Sequence, residues 1–320
     1  MAKYILKRCL IAVVTLLVLV TVIFVLVRAL PGDPFSDGKT PPAIMAHMEA
    51  YYGLDKPPLQ QYFTYMVNLF QGDLGYSIRY DGLTVNKAIA QTFPYSAGLG
   101  LRALSFALVV GLILGTISAQ KAGKAVDYVC VLIAIIGVSI PDFIIGNVLQ
   151  LIFAIKLKMF PAGQWLTWRH MVLPVFALSL YTIALITRLM RSSMLEVLHQ
   201  DYILTARAKG LSPFQVIWRH QIRNSILPVV TVMGPLVAAV LTGTFVLERI
   251  YAIPGMGRYY VQSVNDLDYT MVLGMTVFYG AFLVLANLAV DIIYGLVDPR
   301  IKLAESKYHV DENEEEEEVA

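Results

Sequence analysis

From Cys9 to Val27 the chain runs nineteen residues without a charged side chain, and that run constrains the fold more than any other feature. A hydrocarbon layer about 30 Å thick takes roughly 20 helical residues to cross, and an uncharged stretch of 18 or more is a candidate span. A signal peptide's apolar stretch is shorter, ~7–15 residues, and ends at a small-residue cleavage site. This run continues into Arg28-Ala29-Leu30-Pro31 with no such site. It predicts an uncleaved membrane helix.

Five more runs follow: Ala97–Ala119, Tyr128–Ile155, Met171–Arg188, Ile226–Val246 and Met271–Val297. Charged residues are only 15% of the chain, against about 25% in soluble domains, and mean hydropathy is +0.64. The third run is long for one crossing and is interrupted by Pro141-Asp142, where a missing backbone donor would kink a helix into two angled segments. The fourth is short and carries Pro174 near its start. Six spans are expected, in an all-α polytopic membrane protein. With the N-terminus inside, the cytoplasmic pieces up to Lys307 hold 14 Lys and Arg in 64 residues and the external pieces 9 in 104. That bias places both ends in the cytoplasm, although Lys156, Lys158 and Arg169 run against it.

The formal charge of +2 conceals an asymmetry, because residues from Glu305 onward carry eight acids and one base. The segment 305–320 reads as a solvated, disordered acidic tail. Catalytic signals are missing. There is no G-x-x-x-x-G-K-[ST] phosphate loop, no H-E-x-x-H and no G-x-S-x-G, so neither ATP hydrolysis, a resident metal nor a cofactor is expected, and nothing points to nucleic acid. The five histidines are scattered, and Cys9 and Cys130 form no ligand or disulfide spacing. Gly111 and Gly115 form a GxxxG, which lets another helix approach closely.

Ionisable residues in or beside the runs are Arg102, Asp142 and Asp291. A charge at a helix centre in lipid costs ~2.5–3.5 kcal/mol, so such groups face protein or water. Arg102 and Asp291 stand near run ends, where they can reach the interface. Asp142, beside Pro141 in mid-run, is the stronger candidate for lining a path.

The most informative stretch lies outside the runs. Between the fourth and fifth, Ser192–Lys209 is followed by Gly210-Leu211-Ser212-Pro213 and a second segment to Asn224. Gly210 suits a left-handed helix end. Ser212 reads as an N-cap, Pro213 as the first helical residue and Gln215 as the partner in a capping box, with Leu211 and Val216 placed as a hydrophobic staple. The spacing predicts helix, glycine turn, short helix. Phe214, Ile217, Trp218 and Ile222 are expected on one apolar face, which needs a partner: a membrane surface or, better suited to the sharp turn, a cleft on another protein.

At this loop the sequence resembles the permease subunits of bacterial ABC importers. Asp201-Tyr202-Ile203-Leu204-Thr205-Ala206-Arg207-Ala208-Lys209-Gly210-Leu211 follows the D-Y-I-x-T-A-R-A-K-G-L form of the peptide-permease branch, whereas the general family pattern has Glu and Ala where this chain has Leu204 and Thr205. Tyr52-Gly53-Leu54-Asp55-Lys56-Pro57, Gly72-Asp73-Leu74-Gly75, Ile253-Pro254-Gly255-Met256-Gly257 and Asp298-Pro299-Arg300 extend the likeness from about Lys7 to Lys302, and it is similar to the B-type subunit of oligopeptide and dipeptide permeases.

The resemblance implies the type I importer permease fold with six spans, a cytoplasmic coupling helix in the 190–225 loop and a small external cap. It implies a second homologous permease subunit, two cytoplasmic ATPase subunits that hydrolyse the ATP, an extracytoplasmic binding protein and a peptide substrate, nickel or another small solute being the alternative within the family. Asp201, Thr205, Ala206, Gly210, Leu211, Phe214 and Trp218 would then make the ATPase contact. Asp142 and Arg102 are pathway candidates, and Pro254, Gly255 and Gly257 form a turn that could gate the external side. The expected division is 1–30 for the N-terminus and first span, 31–96 for the cap, 97–304 for the core and 305–320 for the tail. Within the cap, Leu59, Tyr62, Phe63, Met66, Leu69 and Phe70 recur at helical spacing, with Gly72–Gly75 as a turn. A stand-alone secondary transporter is the rival reading. It would need a second broken helix to match Pro141-Asp142.

Overall fold

A computed structural model of the chain describes residues 2–29, 50, 53–241 and 245–297. The acidic tail, the Asp298-Pro299-Arg300 run and residues 31–49 of the expected cap lie outside the described residues. So does the side chain of Asp291. Among the described residues the only β pairing is an isolated bridge between Tyr76 and Thr84, and the rest of the regular structure is helical.

Four helices are long and apolar enough to cross a membrane unaided: α1 (Ala2–Arg28), α3 (Val85–Gln120), α6 (Trp168–Leu198) and α12 (Tyr269–Val297). A fifth crossing is a broken pair, α4 (Ala125–Ser139) and α5 (Asp142–Leu149), the latter continuing as a π-wound stretch Gln150–Lys156. The two halves meet at 105°, as the Pro141-Asp142 interruption led one to expect. The fifth apolar run forms α9 (Leu227–Leu241), shorter than a full crossing by itself. The remaining helices are α2 (Pro58–Phe70), α7 (Asp201–Ala208), α8 (Pro213–Val216, continued by a π-wound Ile217–Ile222 and a last turn Arg223–Ser225), α10 (Phe245–Ile250) and α11 (Gly257–Asn265).

Two of the helices run past the apolar runs that they contain. The helix of the second run begins at Val85, ahead of Ala97. Its 36 residues reach about 54 Å at 1.5 Å per residue, so one helix passes from the segment expected as a cap into the membrane core. Thr84 caps its start by accepting the Lys87 N–H. The helix of the fourth run does not stop at Arg188 but continues to Leu198, and within that extension Arg191 pairs with Asp127 of α4 (Nε–Oδ1 2.7 Å, Nη2–Oδ2 2.8 Å). Ser118 of α3 and the Gly123 N–H also donate to that carboxylate. All its acceptors are used at one end of three helices.

The seam between α3 and α6 is the most extensive helix contact in the molecule. A Cβ added at Gly111 would stand 2.8 Å from the Ile186 side chain, and one at Gly115 2.6 Å from that of Met190. The GxxxG is therefore filled by a neighbouring helix, as its spacing implied. Gly137 plays the same part for α4, its added Cβ falling 2.7 Å from the Leu180 carbonyl oxygen. Helices α3 and α4 thus pack around α6, while α1 packs chiefly on α12 and leaves most of its surface exposed.

On the Val85 side, α2 lies over the ends of α1 and α12. Tyr62, Met66 and Leu69 pack on Val20, Phe24, Leu273 and Val277, but Leu59, Phe63 and Phe70 point away and are exposed. The expected single stripe is split, because it spans more than the ~100° of surface that one docking face covers. Gly72 and Gly75 have φ of 79° and 92°, the turn that the pair predicted. The fully buried Asp268 then ties this segment down: it accepts from the Ser77 hydroxyl, from the N–H groups of Ile78 and Arg79, and from Met271 N–H at the start of α12.

Candidate functional site

The Gly210 loop is built as its local signals foretold. Helix α7 ends in a Schellman motif, Gly210 N–H to Arg207 O at 2.9 Å and Leu211 N–H to Ala206 O at 3.4 Å, closed by Gly210 at φ 78°. That conformation is the reason for glycine, since a Cβ there meets no atom but would strain the backbone. Ser212 and Gln215 form the capping box in both directions. Leu211 packs with Val216, Ile203, Ala206 and Val197, which supplies the staple and also the contact that accompanies a Schellman end.

Of the coupling candidates, Ala206 is buried under the turn. Asp201 opens α7, where a carboxylate suits the positive helix end, and its carbonyl accepts the Thr205 hydroxyl at 3.0 Å. Phe214 and Trp218 are 73% and 64% exposed. The expected four-residue face does not form. Ile217 and Ile222 turn inward against Met190, Met194 and Val229, because Ile217–Ile222 is π-wound. An i→i+5 winding changes which residues share a face. The result is an outward pair of aromatics on an inward anchor. Gln221, buried, accepts from Gln120 Nε2 of α3 at 2.6 Å, so the loop is fastened to both helices of the central seam. Arg207, Lys209, Arg219 and Arg223 are exposed around the aromatics.

Asp142 and Arg102 are not brought together. Asp142 opens α5 and its Oδ1 accepts from its own Phe143 N–H at 2.7 Å. It follows the fifteen residues of α4, which cover about 22 Å from the Gly210 side, so the carboxylate stands within the apolar layer and part exposed. By four-residue spacing it shares a face with Gly146 and Gln150. Those two touch the segment after α9: the Gly146 O accepts from Tyr251 Oη at 2.8 Å and Gln150 Nε2 donates to Ile250 O at 3.1 Å. Arg102 instead donates to Gly98 O at 2.7 Å and sits 5.6 Å over the Trp165 ring, near the membrane boundary, as a side chain reaching for the interface would.

The Pro254–Gly257 turn joins α10 to α11 and closes around a residue that sequence reasoning passed over. Glu248 is 1% exposed. Its Oε2 accepts from Gly257 N–H at 2.8 Å, and its backbone carbonyl from Ile253 N–H, also at 2.8 Å. Its Oε1 has no hydrogen-bond partner. Gly255 is required by the approach, since an added Cβ would lie 2.4 Å from the Glu248 carboxyl. Ser96 of α3 fixes the other side of the turn by accepting from Met256 N–H at 2.9 Å. Burial pushes the Glu248 carboxyl above the usual range, opposed by the Ser96 hydroxyl and the Gly257 N–H. A lone acid within Phe245–Ile253 was the signal available, by the same reasoning that picked out Asp142.

Residues 111–303 match the family model for the binding-protein-dependent transport system inner membrane component, and residues 1–99 match its N-terminal companion. The chain belongs to this family. As such an inner-membrane component it is a multi-pass membrane protein. It is 47% identical over 304 residues, 95% of this chain and 99% of the relative, to the dipeptide transport system permease protein of Bacillus subtilis (strain 168). It is 43% identical over 305 residues, 94% of this chain and all of the relative, to the oligopeptide transport system permease protein of Haemophilus influenzae, and equally so to that of Escherichia coli (strain K12). A solved chain of the MetNI methionine ABC transporter in inward-facing form shares the fold, with TM-score 0.51 and 16% identity over 66% of this component and 96% of that chain.

Proposed function

We propose that this inner-membrane component is the permease subunit of an ATP-driven peptide importer, forming half of the pathway beside a second homologous permease subunit. The observation that carries the reading is the Gly210 loop, a rigid turn fastened to α3 and α6 that holds Phe214 and Trp218 outward among basic residues. Such an element suits a cleft on a cytoplasmic ATPase. The chain has no phosphate loop of its own, so hydrolysis belongs to two separate ATPase subunits and the chain is not itself an enzyme. Peptide as the substrate rests on the relatives, which are named for dipeptide and oligopeptide transport. An extracytoplasmic binding protein delivers it to the face that carries α2 and the start of α3, and both chain ends lie in the cytoplasm.

Asp142 and the Pro254–Gly257 turn are assigned to the path itself, and on the face that Asp142 shares, Gly146 and Gln150 bond Tyr251 and Ile250, just before that turn. ATP-driven closure of the ATPases moves the two coupling helices and tilts the attached spans, and nucleotide shifts that equilibrium only by binding one arrangement more tightly.

Gly210→Val tests the coupling. A β-branched residue at φ 78° costs on the order of 1–2 kcal/mol and distorts the turn, while the spans are untouched. The variant is expected to insert normally and to hydrolyse ATP that no longer drives peptide accumulation in reconstituted vesicles. Uptake at the unaltered rate would overturn the assignment of this loop.

A further inference from the structure

Between Asp142 and Glu196 the chain has no Asp or Glu, yet the segment joining α5 to α6 carries Lys156, Lys158 and Arg169. It lies at the opposite end of α6 from the Gly210 loop. Basic residues on that side run against the usual distribution, and neither the coupling loop nor the path uses them.

The segment is rigid. Met159 N–H donates to Phe153 O at 2.8 Å, Gln164 N–H to Tyr251 O at 2.7 Å and Gln150 Nε2 to Ala162 O at 2.5 Å. Gly163 lies so close to Tyr251 that an added Cβ would stand 2.9 Å from its carbonyl oxygen. Lys158 is held at φ 51°. All three basic side chains are exposed, and although Arg169 gives one N–H to the Met159 carbonyl at 2.6 Å, its other donors remain.

Their setting is apolar. Ile155, Leu157 and Met159 alternate with Lys156 and Lys158 and are exposed, continuing the lipid-facing surface of the π-wound stretch. Leu166 and Trp168 are 74% and 70% exposed. Both flanks are membrane elements, so the segment stands at the boundary between hydrocarbon and water. Tryptophan and long basic side chains favour that level, and phosphate oxygens occupy it.

We propose that residues 156–169 bind the phosphate headgroups of anionic phospholipids in the leaflet opposite the Gly210 loop, with Lys156, Lys158 and Arg169 as the charge contacts and Leu166 and Trp168 inserted among the acyl chains. Continuity of the exposed apolar surface with a membrane-facing helix favours lipid over an acidic protein surface as the occupant.

The test uses the full chain in vesicles of equal parts phosphatidylcholine and phosphatidylglycerol, with retained lipid counted by native mass spectrometry after mild extraction. A basic residue near an anionic surface contributes about 1 kcal/mol, roughly fivefold. Lys156→Gln, Lys158→Gln and Arg169→Gln are each expected to lower retained phosphatidylglycerol by about that factor, and Lys87→Gln and Arg258→Gln, basic residues elsewhere on the same side, to leave it unchanged. In the unaltered chain retention should fall as salt rises, a reading that needs no variant to fold. Retention indifferent to salt and to the three substitutions would overturn the proposal. So would a triple variant that keeps its phosphatidylglycerol but loses an external protein partner in phosphatidylcholine alone.

Discussion

Glu248 has Oε2 on Gly257 N–H and Oε1 without a hydrogen bond, and the Ser96 hydroxyl and that N–H offset only part of the cost of burying its charge. Burial holds the carboxyl above its usual range, so between the unfolded and folded values the folded chain binds more protons than the unfolded one. The sign follows: stability from this group is full below the unfolded value of about 4.3 and is lost as pH rises toward the folded one, because there the native state binds more protons. Glu248→Gln retains an oxygen for Gly257 N–H and removes the titration. The variant in detergent is expected to melt at least as high as the unaltered chain at neutral pH, with a flatter dependence on pH above 4.3. Glu248→Ala leaves a buried N–H unpaired, costing about 1–3 kcal/mol, and should melt lower at every pH. Equal melting of all three proteins across that range would show that the carboxylate does not hold the turn.

Among elements, the clearest dependence is that of α6 on α4. Asp127 is buried while Arg191 is 30% exposed, and their paired hydrogen bonds tie α6 to α4. Removing Arg191 leaves the buried Asp127 carboxylate without its cation, which costs more than replacing both partners, though less than the ~3–5 kcal/mol of a fully buried pair because solvent reaches Arg191. Arg191→Ala is expected to lower the melting temperature markedly, and Asp127→Ala combined with it to recover part of the loss. A double variant worse than the single would exclude the pairing as the cause. This pair also marks what the sequence could not disclose. The Gly210 loop was legible because capping box, staple and Schellman end are all set by residues within a few positions of one another, and the break at Pro141-Asp142 likewise. The ends of α3 and α6, the partner of Arg191 and the turn around Glu248 depend on contacts between residues distant in the chain, where hydropathy sees only a charge. The π winding of Ile217–Ile222 lies in between. It moved two isoleucines off the face that a 3.6 period assigns them, and Phe214 and Trp218 were left outward as the period required.

In the whole molecule the two faces proposed to act on partners are mounted on one seam. Gln120 at one end of α3 holds Gln221 of the coupling loop, and Ser96, well along the same helix, holds the Met256 N–H of the external turn. Helix α6 lies against α3 between these points, closest at Gly111 and Gly115. If the seam transmits, nucleotide bound to the ATPases changes the affinity of the external face for its binding protein, and by linkage the binding protein changes nucleotide affinity by the same factor. Gly111→Ala places a methyl 2.8 Å from Ile186 and must part the helices by several tenths of an ångström, while leaving both end contacts chemically intact. Overpacking of this kind costs about 1–3 kcal/mol, enough to bias an equilibrium of the few kcal/mol that separate such states. The expected result in the assembled transporter is that both factors shrink together and remain equal, with binding of each partner alone little changed. Measuring nucleotide affinity with and without binding protein, and the reverse, decides it. Unchanged factors would place the transmission elsewhere, in α9 or α12, while a loss of ATPase association would show that the seam only shapes the loop.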